Sequence, residues 1–166
     1  IFQTMVLATL ALTACTSGQK PEEIENPILS IEGGQVQGVI CDSTDVIVYK
    51  GVPFAAPPVG ELRWKKPQPV VAWEGVLQAN DFRNASVQAA HDPNDGAYGT
   101  EFFETDAPFS EDCLYLNIWT PKNAAGKAET KLPVAMWIHG GAYTGGWSFE
   151  PEMDGEAWAE RGVILV

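Results

Sequence analysis

Basic residues are scarce in this chain. Ten Lys and Arg stand against 22 Asp and Glu over 166 residues, for a formal charge of −12 and a pI near 4.4. A field of that sign repels phosphate backbones, and no Lys/Arg cluster offers a footprint for nucleic acid. Such acidity bears on solubility and carries no inference about a substrate. Charge is missing altogether at the start, where Lys20 is the first charged residue. The uncharged run over residues 1–14 is nonetheless too short to span a bilayer as a helix. Histidine is limited to His91 and His139. His91 lies among Asp92, Pro93 and Asn94, a turn composition, and is assigned no role. No internal repeat is present.

What remains is ordinary for a soluble globular protein: 45% hydrophobic and 19% charged residues, in a length that suits one domain with a real core. Residues 1–15 read as an export signal whose apolar region ends at Leu12-Thr13-Ala14-Cys15. Residues 16–27, rich in Ser, Gly, Lys, Pro and Glu without a period, read as a polar tether. The folded part is then 28–166. Because the chain opens on Ile1 and stops inside the apolar run Val163-Ile164-Leu165-Val166, it is expected to be the N-terminal part of a longer protein.

From Ile28 onward the pattern is β. ILSIEGG, QVQGVIC and VIVYKGVPFA form short alternating or β-branched runs, separated by Gly33-Gly34 and by an Asp42-Ser43-Thr44-Asp45 turn, and predict an edge meander. The proline-rich stretch 51–69 is unsuited to regular structure. Because it carries Phe54, Leu62 and Trp64, it is expected to be an ordered, packed loop. Residues 73–109 predict long loops with embedded short helices. The second half of SEDCLYLNIWTP alternates as a strand, and a polar connection over 122–131 predicts a hairpin-like pair with the strand that follows. Asp154 to Gly162 predicts a short helix with an Asp N-cap and a Gly C-terminal cap, leading into a last strand. With nothing beside it, that strand would be an unpaired apolar edge.

The stretch VAMWIHGGAYTGGW organises the rest. Val134, Ala135, Met136, Trp137 and Ile138 read as a buried strand that empties into His139-Gly140-Gly141-Ala142, where side chains almost vanish. Two readings are open from the residues alone. One is a glycine turn closing a hairpin. The other is a loop whose main-chain N–H groups face open space, as needed to hold an oxyanion during acyl transfer.

Three segments together, YKGVPFAAPPVGELRW, SEDCLYLNIWTP and WIHGGAYTGG, resemble the early loop, a signature pattern and the oxyanion loop of the type-B carboxylesterases, the α/β-hydrolase branch that includes cholinesterases and para-nitrobenzyl esterases. The resemblance implies an α/β fold, namely the edge meander and first strands of an α/β-hydrolase sheet. It implies hydrolysis of a small-molecule carboxylic ester by a serine acyl-enzyme route, with no cofactor or metal. By the same resemblance Gly141 and Ala142 supply backbone oxyanion donors, His139 and Gly140 brace the loop, and Arg63 pairs with Glu111 between motif segments that pack together.

The family's nucleophile elbow, G-x-S-x-G, is absent from the 166 residues. Gly146-Trp147-Ser148-Phe149-Glu150 lacks the second glycine, so Ser148 is not read as the nucleophile, and the acid and catalytic histidine follow the serine in this fold. The family alternative is a cholinesterase-like adhesion protein that has lost its nucleophile and acts as a binding surface. LTAC resembles a bacterial lipobox, which implies an exported protein held at a membrane surface through a lipidated Cys15; an ordinary secretory signal is the alternative. Ser86 in Ala85-Ser86-Val87-Gln88 stands where similar proteins carry the disulfide partner of Cys113, which is therefore expected to be a free, buried thiol.

Overall fold

A computed structural model describes residues 26–89, 94 and 108–166. The expected signal, the lipidation residue Cys15, nearly all of the tether, and His91 lie outside these residues.

The eight-residue strand β4 is the axis of the fold. Among the described residues the strands are β1 (Leu29–Ile31), β2 (Gly34–Gln37), β3 (Val39–Ile40), β4 (Val46–Pro53), β5 (Val76–Gln78), β6 (Tyr115–Pro121), β7 (Val134–Ala135) and β8 (Ile164–Leu165), and the α-helix is α1 (Glu156–Glu160). Alternate residues of β4 feed two separate cores, as the two-residue period of a strand requires. Ile47, Tyr49 and Val52 pack with Val36 and Ala79. Val46 and Val48 pack with Trp119, Ala159 and Leu165. β4 is therefore apolar almost throughout because both its faces are covered.

The expected meander divides between two sheets. β1 and β2 form an antiparallel hairpin, and β2 then pairs in parallel with β5; β3 pairs with β4 in a five-stranded sheet of order β3-β4-β6-β8-β7. The break falls at Gly38, where a Cβ would lie 2.5 Å from the Val48 carbonyl oxygen. Only glycine lets the chain cross so close to β4. The turn expected over 42–45 joins β3 to β4 and is closed by Cys41 N–H donating to Val46 O at 2.9 Å.

Three expectations are corrected. β6 and β7 are not a hairpin, because β8 lies between them, antiparallel to β6 and parallel to β7. Among the described strands β8 is thus internal, with Leu165 buried, and β7 stands at the edge. Residues 134–138 are not a buried strand: β7 ends at Ala135, and Met136, Trp137 and Ile138 are 72%, 58% and 82% exposed. An edge strand lacks neighbours on one side, so apolar character alone does not bury it.

The proline-rich loop is ordered, but not by burying its aromatics. Trp64 is 95% exposed and Phe54 53%. Its order comes from backbone hydrogen bonds, including Ala56 N–H to Gln68 O at 3.0 Å and a 3₁₀ turn at Gly60–Leu62. In the described part of 73–109 there is no helix; that stretch supplies β5 and the isolated bridges of Asn80 to Lys50 and Ala85 to Phe109.

α1 is shorter than the sequence suggests. Asp154 sits one residue ahead of the geometric N-cap Gly155, and its Oδ1 accepts the Glu156 N–H at 2.8 Å. At the other end Gly162 takes φ 81°, with Gly162 N–H on Ala159 O and Val163 N–H on Trp158 O. This paired closure satisfies two orphan carbonyls and turns the chain directly into β8.

Candidate functional site

The glycine loop spans the gap between the β7 edge and a buried aromatic anchor. Its near end is fixed by Trp137 N–H donating to Val166 O at 2.7 Å, which extends the β7 to β8 pairing by one step. Its far end is fixed by Trp147, which is buried against Phe109 and Phe149, each ring centroid 6.2 Å away. Residues 140–144 between these ends are exposed.

Within the loop, one carbonyl organises the backbone. Gly141 O accepts the Thr144 N–H at 2.8 Å, the Thr144 hydroxyl at 2.9 Å and the Gly145 N–H at 3.2 Å. All described peptides are trans, and in a trans peptide the carbonyl and the following N–H point in opposite directions. The Ala142 N–H is therefore turned away from the loop interior. The Gly140 carbonyl lies 2.8 Å from His139 Nδ1. A carbonyl only accepts, so this contact requires the imidazole tautomer with its proton on Nδ1. It turns the Gly141 N–H away from the imidazole. Neither the Gly141 nor the Ala142 N–H is hydrogen-bonded to a described residue.

This geometry is maintained at some backbone cost. Gly141 takes φ 111°, and a side chain there would collide with the Gly145 carbonyl. Ala142 and Tyr143 take φ 52° and 63°, the left-handed region that L-residues enter only at a cost of about 1–2 kcal/mol each. Among the described strands β7 pairs only with β8, in parallel, so the loop does not close a hairpin.

Beside the loop lies an open, mainly apolar cavity of about 520 Å³. Ile138, His139, Gly146 and Ser148 line it, together with Asn117 and Cys113. Gly141 and Ala142 do not line it; they stand on the exposed turn between lining residues His139 and Gly146. Ser148 is held by Asn117 Nδ2, which donates to its Oγ at 3.1 Å, and no described histidine is bonded to it.

Asn117 and Gln88 were not marked by the sequence reading. Asn117 is 6% exposed on β6, and its Oδ1 accepts the Gly51 N–H at 2.8 Å, where the register of β4 and β6 shifts. It thereby ties the bulge in β4 to the segment after Trp147. A polar residue inside the alternating run LNIW was the available signal, since buried amides need partners. Gln88 binds Gly146 with both ends of its carboxamide. Its segment, Ala85-Ser86-Val87-Gln88, was singled out only for the missing cysteine, and the glutamine in it was the available signal.

Arg63 Nε lies 2.5 Å from Glu111 Oε1, so the pair forms, but its side chains are 57% and 36% exposed. Solvent screens such an exposed pair, and little stability depends on it. The hydrogen bond and charge of Glu111 raise the Arg63 pKa further. Cys41 and Cys113 are both free and half-buried, so Cys113 is less enclosed than expected. Burial first, then Asp112 and Glu111, push the Cys113 thiol pKa up. Among the described residues no cluster of His, Cys, Asp or Glu is arranged to hold a metal.

Sheet order and site together define the opening portion of an α/β-hydrolase. Residues 25–166 match the Carboxylesterase family, and the chain belongs to it. It is 37% identical over 163 residues to the fumonisin B1 esterase of Sphingopyxis macrogoltabida, covering 98% of this chain and 27% of that protein. It is 38% identical over 136 residues to the acetylcholinesterase of Electrophorus electricus, covering 80% of this chain and 21% of that enzyme. A solved PNB esterase superposes with a TM-score of 0.69 at 33% identity, over 85% of this chain and 27% of its own. The chain thus spans about a quarter of the relatives it matches.

Proposed function

We propose that the full-length protein hydrolyses carboxylic esters through a serine acyl-enzyme, with the Gly141 and Ala142 N–H groups holding the oxyanion. The observation that carries this is the direction of the loop peptides. With the Gly141 carbonyl occupied by three donors, the Ala142 N–H faces outward and is free to meet a negative oxygen. The nucleophile comes from a G-x-S-x-G that these 166 residues do not contain. Its Oγ adds to the ester carbonyl while a histidine takes the proton, and the carbonyl π electrons move onto oxygen. Collapse expels the alcohol, which receives that proton, and water repeats the cycle on the acyl-enzyme to release the acid. Gly141 and Ala142 serve both tetrahedral intermediates.

The relatives are named for different esters, fumonisin B1 and acetylcholine, so the shared chemistry is the carboxylic ester rather than one alcohol. The test is hydrolysis of short p-nitrophenyl esters by the full-length protein, with burst kinetics and stoichiometric labelling by an organophosphate. Absence of both from folded protein defeats the reading. The protein is further proposed to be exported and held at a membrane surface through Cys15, on the strength of the uncharged run ending in LTAC. Cys15→Ser should move it to the soluble fraction, and persistent membrane association would show that the anchor lies elsewhere.

A further inference from the structure

We propose that Gln88 is the positioning residue of the glycine loop, setting the direction of its N–H groups through Gly146. This rests on the oxyanion reading above. The Gln88 carboxamide makes three hydrogen bonds: Oε1 accepts the Gly146 N–H at 2.7 Å, and Nε2 donates to Gly146 O at 3.1 Å and to Ser86 O at 3.0 Å. A primary amide offers both a donor edge and an acceptor, so one side chain satisfies both main-chain groups of a buried residue.

Gly146 in turn has no freedom. It takes φ 99°, and a Cβ there would lie 2.9 Å from both the Gly140 oxygen and His139 Nδ1. Any movement of Gly146 is therefore felt by the two groups that set the Gly141 peptide. The preceding residue, Gly145, donates to the Gly141 carbonyl, which sets the Ala142 peptide. Both proposed donors are thus reached from Gln88 through Gly146 and one further contact.

The support beneath Gln88 is firm. Ala85 N–H donates to Pro108 O at 2.9 Å, Ser110 N–H to Ala85 O at 3.0 Å, and Asn84 Nδ2 to Asp112 O at 3.0 Å. The segment carrying Gln88 is laced to the segment that leads into β6. Residues 139–145, by contrast, make hydrogen bonds only to one another among the described residues. The loop's shape therefore depends on where its far end is held.

The test uses Gln88→Ala and Gln88→Glu in the full-length enzyme. Misplacing reacting groups by about an ångström costs on the order of 10²-fold, so Gln88→Ala should lose about 10–100-fold in kcat. KM for a small ester should change less than about threefold, since binding of the neutral ester does not need the oxyanion donors. Affinity for a trifluoromethyl ketone, which becomes a tetrahedral oxyanion when the serine adds to it, should fall in step with kcat/KM.

Gln88→Glu keeps the shape but sets a carboxylate against the carbonyls of Gly146 and Ser86. Its activity relative to wild type should rise as pH falls and the carboxyl regains a proton to donate. This second variant decides the matter if Gln88→Ala does not fold. Folded variants with kcat and ketone affinity within twofold of wild type overturn the role of Gln88. Equal losses in kcat and melting temperature, with no change in ketone affinity and no recovery at low pH, overturn it as well. Neither result touches the oxyanion donors, which are tested separately at position 142. A full-length protein without esterase activity overturns both readings together.

Discussion

Removing the Ala142 N–H without disturbing the loop is the most direct test of its chemistry, and the backbone dictates how to do it. Proline is the obvious way to delete an amide donor, but it fixes φ near −65°, whereas Ala142 sits at φ 52°. Ala142→Pro would rebuild the loop and report little about the donor. Ala142→Val is equally unsuitable, because a β-branched residue at positive φ is a stronger outlier than alanine. The clean change replaces Ala142 by lactic acid, so that an ester oxygen takes the place of N–H. Because this N–H bonds to no described residue, any fall in melting temperature should come from the weakened Gly141 carbonyl alone. Loss of one oxyanion donor should lower kcat by about 10²–10³, or roughly 3–4 kcal/mol of transition-state stabilisation, with KM nearly unchanged.

The ester also weakens the Gly141 carbonyl as an acceptor, and that carbonyl serves three donors. Thr144→Val controls for this by removing only the hydroxyl contribution; if it reproduces the loss, the effect belongs to loop shape. Ala142→Gly should retain most activity, since it keeps the donor and suits the observed φ. A folded ester variant with turnover within a few-fold of wild type would refute the oxyanion role of Ala142.

Three further outcomes are expected. Asn117→Ala leaves the buried Gly51 N–H without its acceptor and should cost about 1–3 kcal/mol, read as a lower denaturation midpoint at an unchanged m-value. The family resemblance implies a disulfide partner for Cys113 at position 86, so where the Cα separation suits a bridge Ser86→Cys should form a disulfide worth about 2–4 kcal/mol. In the parent, alkylation of Cys113 at pH 8 should be slower than that of a free thiol, since its pKa is raised; a normal rate would show that it is not shielded. Tyr49 has no partner for its buried hydroxyl among the described residues, and burial pushes its pKa to about 12. A phenol harder to ionise when folded stabilises the protein below its unfolded pKa near 10, and that contribution is lost as pH rises towards 12. Tyr49→Phe should be neutral or stabilising and should remove this share of the alkaline loss, as followed by urea titration at several pH values.

Local patterns in the sequence were reliable where the chain decides matters by itself. The period of β4, the 42–45 turn, the alternation of β6 and the Gly162 closure of α1 all follow from side chains and φ preferences within a few residues. Order in the sheet was not legible. The insertion of β8 between β6 and β7 depends on α1 carrying the chain back, and a polar connection over 122–131 looks the same whether or not it closes a hairpin. The burial assigned to 134–138 failed for a related reason, because apolar residues show affinity for a core without showing whether one is beside them. In the loop, glycines identified where side chains must be absent. They could not show that Ala142 and Tyr143 share the left-handed conformation.

The anchors of the loop were the least legible part, and their nature explains why. Gln88 and Asn117 act on Gly146 and Ser148 from 58 and 31 residues away, and although both lie in segments that the resemblance marked, nothing in those segments shows which main-chain groups they bind. They flank Trp147, whose burial fixes position but not rotation about the chain. Rotation is what aims a peptide N–H, and the bonds of Gln88 to Gly146 and of Asn117 to Ser148 act on it from both sides of the aromatic. In this loop burial of Trp147 supplies attachment, and the two amides add directional bonds on either side of it. Apolar substitutions at Trp147 should accordingly be felt first in stability, whereas changes at Gln88 should be felt first in turnover.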